Sequence, residues 1–211
     1  FSPSDGERWL LNIGGIANLT LLSRSAAGWA GDVGPGNCWV DRWVAARSGG
    51  SLAMDKNGDV SRTGQVDGEL LHSLLNAVQP VLGRSLARET FSAEWLLELI
   101  PEEVKTADAA RTLIELTATL IAQAVEQQRS TATEIFVAGG GAHNPVMMDA
   151  LTRLLPQLRV STFDQLGMPG DAREAACFAC LGWLYLCGES GANRMVTGAE
   201  KAQILGSLAL P

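Results

Sequence analysis

Positive charge is scarce in this sequence. Against 23 Asp and Glu stand 16 Lys and Arg, for a net charge of −7 and a pI near 4.8. Nucleic acid is thereby excluded as a partner, because it calls for a basic face. Charged residues of both signs make up 18% of the chain, low for a free-standing soluble domain. The expectation is a surface partly covered in the working state, by another lobe or a partner. Histidine is rare too, with His72 and His143 alone. A metal reading of Cys177 and Cys180 lacks further ligands, so these two, with Cys187 and the distant Cys38, read as buried free thiols. That usage fits a reducing, cytoplasmic setting. No apolar run is long enough for a membrane span, since Gly182 interrupts the one near Cys177, and no secretory signal pattern opens the chain. The first residue is Phe1 rather than methionine, and the expectation is a longer parent protein. Also missing are a Gly-Lys-Ser/Thr phosphate loop and the spaced glycines of a dinucleotide fold.

What is present suffices for a core: 211 residues, 46% of them hydrophobic, enough for one large domain or two small ones. Trp9 to Ile13 reads as a strand, Gly14-Gly15 as a turn and Ile16 to Leu22 as the return strand. Trp29 to Asp32 reads as a short third strand. Gly34-Pro35-Gly36 then turns, and Asn37 reads as the N-cap of a helix from Cys38 to about Arg47. Ser48 to Gly68 reads as an exposed polar loop. Its Asp55-Lys56-Asn57-Gly58-Asp59 lacks the glutamate and flanking helices of a calcium loop. A short helix follows from Val66 to Val78 and holds His72, read as structural. Thr106 to Gln128 is the clearest helix, with Leu113, Leu116, Leu120 and Ala124 on one face. Glu134 to Ala138 reads as a strand, broken by Gly139-Gly140-Gly141. Asn144 and Pro145 start the next helix. Leu158 to Phe163 is a further strand, and Asp171 to Cys187 a second long helix with Glu174 near its start. Alternating strands and helices give the α/β class.

Three glycine bends thus follow strands, at Gly14-Gly15, at Gly34 and Gly36, and at Gly139-Gly140-Gly141. Ligands of α/β folds gather at the carboxyl ends of strands, and two of these bends precede helices whose free amides would favour an anion. Any one of them is more often a tight turn with no ligand, and it is the three together at strand ends that raise a nucleotide reading. Asp32 is the carboxylate beside the second bend. It reads either as a turn residue bonding its own backbone or as a base acting on a hydroxyl or water. Glu174 reads either as a charge favouring its helix dipole or as a site residue.

The runs Leu11-Asn12-Ile13-Gly14-Gly15-Ile16-Ala17-Asn18-Leu19-Thr20 and Asp32-Val33-Gly34-Pro35-Gly36-Asn37, with Asp41 and Trp43, carry a resemblance. So do Val137 to Pro145, Glu174 to Ala179, and Val196 to Ala199 with Leu205-Gly206. Together, in order and along nearly the whole chain, they resemble the anhydro-N-acetylmuramic acid kinase family. The resemblance implies an actin-like (hexokinase-like) ATPase fold of two lobes, with residues 1–211 as the second, C-terminal lobe. It implies ATP and Mg2+ as cofactors, the ion held through the nucleotide, and no metal site of the protein's own. It implies opening of the 1,6-anhydro ring of anhydro-N-acetylmuramic acid and phosphorylation of the 6-hydroxyl, in cell-wall recycling. By the same resemblance Asp32 is catalytic, and Asn12, Gly14, Gly15, Gly34, Gly36, Gly139, Gly140, Gly141 and Asn144 bind ATP. Glu174 contacts the sugar, and family members form homodimers. The family's first phosphate turn, of Gly-Thr-Ser-Leu-Asp-Gly type, has no counterpart here. Its Lys-Ser-Thr-Gly-Arg-Glu run appears as Arg84-Ser85-Leu86-Ala87-Arg88-Glu89, and Gly31 stands where a phenylalanine is usual. The expectation is an anhydrosugar kinase lobe, inactive alone. The alternatives are a non-catalytic sugar- or nucleotide-binding half acting as a subunit or regulator, and another sugar kinase of the same fold.

Overall fold

Strand β1 (Glu7–Ile13) alternates strictly, burying Trp9, Leu11 and Ile13 and turning Arg8, Leu10 and Asn12 to the opposite face. The computed structural model describes residues 1–24, 27–79, 86 and 88–208. Arg84, Ser85 and Ala87, named above, lie outside the described residues. Gly14 and Gly15 turn β1 into β2 (Ile16–Ser23), and β3 (Ala27–Pro35) continues the antiparallel meander. Two later strands, β4 (Glu134–Ala138) and β5 (Arg159–Thr162), join in parallel on the other side of β1. The sheet order is β3-β2-β1-β4-β5.

The helices are α1 (Asn37–Arg47), α2 (Gly68–Val78), α3 (Ala93–Leu99), α4 (Thr106–Gln127), α5 (Pro145–Leu154), α6 (Arg173–Cys187) and α7 (Arg194–Thr197). The main core lies between one sheet face and α1, α4 and α5. It holds Trp9, Leu11, Ile13 and Leu19 from the sheet, Trp39 and Trp43 from α1, and Leu113, Leu116, Leu120 and Ile121 from α4. The buried indoles keep polar partners: Trp9 Nε1 donates to Ser130 Oγ at 2.9 Å, and Trp43 Nε1 to the Thr106 carbonyl at 3.0 Å. Thr117 Oγ1 donates to the Pro35 carbonyl at 2.9 Å and ties mid-α4 to the end of β3. The opposite sheet face carries a small cluster of Phe136, Ala138 and Phe163, with Leu10 packed against it. Beside it Glu134 pairs with Arg8 at 2.6 Å and Arg159 at 2.8 Å, and both guanidiniums lie over the Phe136 ring.

The structure revises several of the sequence expectations. Gly34 and Pro35 do not turn; they finish β3, which is an edge strand where proline costs no ladder bond. Asn37 is not a cap. It is the first residue of α1, and its Nδ2 donates to the Ile13 carbonyl at 3.2 Å. The Ser48–Gly68 stretch is not wholly exposed. Asp55 and Ser61 are buried, and the Asp55 carboxylate accepts from the Val60 and Ser61 amides and the Ser61 hydroxyl. The thiols of Cys177, Cys180 and Cys187 are free but exposed, and Cys38 alone is buried. They lie on α6, an apolar helix that buries no side chain among the described residues. Asn144 does cap α5 with Pro145 in its first turn: its Oδ1 accepts from the Val146 amide at 3.0 Å.

Candidate functional site

The Gly14-Gly15 hairpin fixes the pairing of β1 with β2, setting Asn12 opposite Asn18. Between Ala17 and Asn18 the register with β3 shifts, so that Val33 is extra and Asn18 faces Asp32. The bulge aims Asp32 onto the face that carries Asn12 and Asn18 and completes a polar row across three strands. Asn12 Nδ2 donates to Asn18 Oδ1 at 3.3 Å. Asn18 Nδ2 donates to Asp32 Oδ1, and the Leu86 amide donates to Asp32 Oδ2 at 2.7 Å. Asp32 therefore lies within a strand, not in a turn, and its carboxylate is bonded to other strands and segments. The side chain is half-buried, with both oxygens oriented by donors. Along the edge of β3, Asp32 also borders a recess of about 280 Å³ with Trp29, Val33, Leu120 and Gln123.

All three glycine segments meet at one end of the sheet. Gly36, Asn37 and Cys38 donate their amides to the Gly14 and Gly15 carbonyls at 2.8 to 3.3 Å. A Cβ at Gly36 would collide with the Gly14 carbonyl, and one at Gly139 would lie 2.7 Å from the Ile13 carbonyl and 2.8 Å from Asn12 Oδ1. Gly139 also has φ +80°, a left-handed value suited to glycine. The segments differ in exposure. Gly34, Gly36 and Gly141 are buried, backed by Leu120, Gly14 and Ile13, and packing explains their identity. Gly14, Gly15 and Gly139 are half-buried and Gly140 is exposed, so these four are open to a ligand. The expected free amides at the start of α1 are instead taken by the Gly14-Gly15 carbonyls, and the Asn144 side chain takes those at the start of α5. Asn144 itself is buried as that cap.

Beyond β1 the chain departs toward β2 and β3, and beyond β4 toward β5. The carboxyl ends of these neighbouring parallel strands therefore flank a topological switch point, where open α/β sheets bind ligands. Gly14-Gly15 and Gly139-Gly140 are its two lips. Glu174 lies in the first turn of α6 and is exposed; no hydrogen bond joins it to the polar row among the described residues. Its neighbour Arg173 instead lines a recess of about 200 Å³ with Asn12, Asn18, Thr20, Ala138 and Phe163.

The sequence reading assigned no role to Asn18, Arg173 or Leu86. Asn18 was legible, because a two-residue hairpin at Gly14-Gly15 pairs it with Asn12. No local pattern announces Arg173 or the Leu86 amide, whose places depend on tertiary folding.

Residues 1–211 match the family model described as anhydro-N-acetylmuramic acid kinase. The chain belongs to the anhydro-N-acetylmuramic acid kinase family. A relative of that name from Streptomyces coelicolor is 39% identical over 204 residues, covering 94% of this chain and 51% of the relative. Another, from Parasynechococcus marenigrum, is 36% identical over 225 residues, covering 99% of this chain and 59% of the relative. The chain thus spans little more than half the length of these anhydro-N-acetylmuramic acid kinases. Among solved structures, the activator of the 2-hydroxyisocaproyl-CoA dehydratase from Clostridium difficile, with bound ADPNP, superposes with a TM-score of 0.50 at 14% identity. That match covers 76% of this chain and 55% of the other. The fold is that of an actin-like ATPase lobe, a mixed five-stranded sheet with flanking helices. Among the described residues no helix is long and apolar enough to cross a membrane.

Proposed function

We propose that this chain is the second lobe of a two-lobed ATP-dependent kinase acting on anhydro-N-acetylmuramic acid, with Asp32 as its base. The observation that carries the reading is the Asp32 carboxylate, held by Asn18 and the Leu86 amide on the polar row that ends at the β1–β4 crevice. Family membership and the ATPase fold support it. Gly14 and Gly15 would take the phosphates of ATP, and Gly139 and Gly140 would lie against its adenosine. Asn12 Nδ2 is bonded to Asn18, which leaves its Oδ1 against Gly139 between the two lips. Gly34, Gly36, Gly141 and Asn144 support these lips from behind. Mg2+ would be held through the phosphates of the nucleotide, leaving the Asp32 carboxylate to act as the base. The ion would offset charge on the transferring phosphoryl group.

In the proposed reaction Asp32 takes a proton from water as the water oxygen bonds to the anomeric carbon. The bond from that carbon to the bridging oxygen breaks. The freed 6-oxygen attacks the γ-phosphorus, ADP leaves, and N-acetylmuramic acid 6-phosphate results. Glu174, in the first turn of α6, is proposed to contact the sugar once the cleft is closed. Phosphoryl transfer depends on positioning and charge neutralisation, so one lobe alone is a poor catalyst. We place the activity in the cytoplasm, with a homodimer as the working assembly. The test is an acceptor comparison with the protein encoded by the intact gene. ATP-dependent phosphorylation of anhydro-N-acetylmuramic acid, with glucose and glycerol left unmodified, is the expected result. Transfer to glucose or glycerol instead would assign another sugar kinase. Binding without transfer to any acceptor would assign a non-catalytic half.

A further inference from the structure

Arg173 is the first residue of α6 and reaches toward the polar row from the side opposite Asp32. Its Nε is buried and has no hydrogen-bond partner, and among the described residues no carboxylate pairs with its guanidinium. Of the acids nearby, Asp171 lies 3.2 Å from His143 Nε2, both Asp32 oxygens accept from other donors, and Glu174 is exposed. A desolvated guanidinium nitrogen without a partner is costly in a resting fold. An incoming oxyanion would remove that cost through the fork geometry with which arginine meets carboxylate and phosphate. The remaining walls suit such a group. Asn12, Asn18 and Thr20 supply polar contacts, Phe163 and Ala138 an apolar floor. The N-terminus of the 15-residue helix α6 has no side-chain cap, and its dipole adds the same sign of field. At about 200 Å³ the recess admits one charged group and part of a sugar ring, but not a nucleotide.

We propose that Arg173, with Asn12 and Asn18, forms an oxyanion subsite that takes either the carboxylate of an acid sugar or a terminal phosphate. Only the identity of the ligand rests on the kinase reading; the subsite rests on the unpartnered guanidinium and its recess.

The experiment is calorimetric titration of the 211-residue chain, and of its Arg173→Ala and Arg173→Gln variants, with three probes. These are N-acetylmuramic acid, inorganic pyrophosphate, and N-acetylglucosamine, a related sugar without the carboxylate. Matching thermal midpoints establish that the variants are folded, and Arg173→Gln serves if Arg173→Ala is not. The expected result is a roughly 10- to 100-fold weaker affinity of the variant for at least one oxyanion probe, with N-acetylglucosamine unchanged. Loss confined to N-acetylmuramic acid assigns the carboxylate, and loss confined to pyrophosphate assigns the phosphate. Variant affinities within about 2-fold of the parent for both oxyanions would overturn the proposal, as would millimolar probes that fail to bind the parent chain. Arg173-dependent binding in a protein that transfers no phosphate would leave this subsite standing and remove the kinase reading. Phosphate transfer that ignores Arg173→Ala would do the reverse.

Discussion

Replacing Gly139 by alanine puts a methyl carbon 2.7 Å from the Ile13 carbonyl at a backbone φ of +80°. Replacing Gly14 puts one no closer than 3.7 Å to its neighbours. Gly139→Ala is therefore expected to destabilise the fold by about 1–3 kcal/mol, and Gly14→Ala by under about 1 kcal/mol. Urea unfolding of both variants checks the contrast. Equal losses would contradict the account of the two lips. Glu134 offers a second residue-scale test. Its burial alone would raise its pKa, but the hydrogen bonds and charges of Arg159 and Arg8 outweigh that and hold it below the ordinary carboxylate value. A depressed folded pKa means stability that is present above the unfolded value and is lost as pH falls through the folded one. The parent chain should therefore melt above Glu134→Gln at neutral pH, and the gap should close on acidification below the ordinary carboxylate range. Melting curves of the pair across pH would show a gap that persists in acid if the ion pairs contribute nothing.

Among the elements, α1 and α6 both carry tryptophan and cysteine and differ in environment. Trp43 of α1 is fully buried, and Trp43→Ala should cost about 3–5 kcal/mol. Phe178, Trp183 and Leu186 of α6 are 65%, 67% and 74% exposed, so Leu186→Ser should change stability by under about 0.5 kcal/mol. The same contrast predicts thiol chemistry. Cys177, Cys180 and Cys187 should react with a disulfide reagent in the folded chain, and Cys38 only after denaturation. The α6 pattern could not reveal this, because a helix apolar all round reads as buried whether or not a covering element is in place. Other elements were legible where local chemistry decides them. The β1–β2 hairpin followed from alternation and Gly14-Gly15, and α5 from Asn144 and Pro145. Reading β3 too short had a physical cause: Gly34 and Pro35 are turn formers, and an edge strand tolerates them. The polar row was half legible. Asp32 stood out beside glycines and Asn12 came from the family resemblance, whereas Asn18 needed the hairpin register and Arg173 needed the folded chain.

At the scale of the molecule, one sheet carries the polar row and two glycine lips at a topological switch point, in a chain that spans little more than half the length of its relatives. The most direct test of the central claim is steady-state phosphate transfer from ATP to anhydro-N-acetylmuramic acid by the protein of the intact gene and its Asp32→Asn variant. Asp32→Asn keeps the side chain's shape but removes its capacity to accept a proton. A fall in kcat of at least about 10²- to 10⁴-fold, with the KM for ATP little changed, is the predicted result. Full turnover by the Asp32→Asn enzyme would contradict the assignment of the base and the reading built on it.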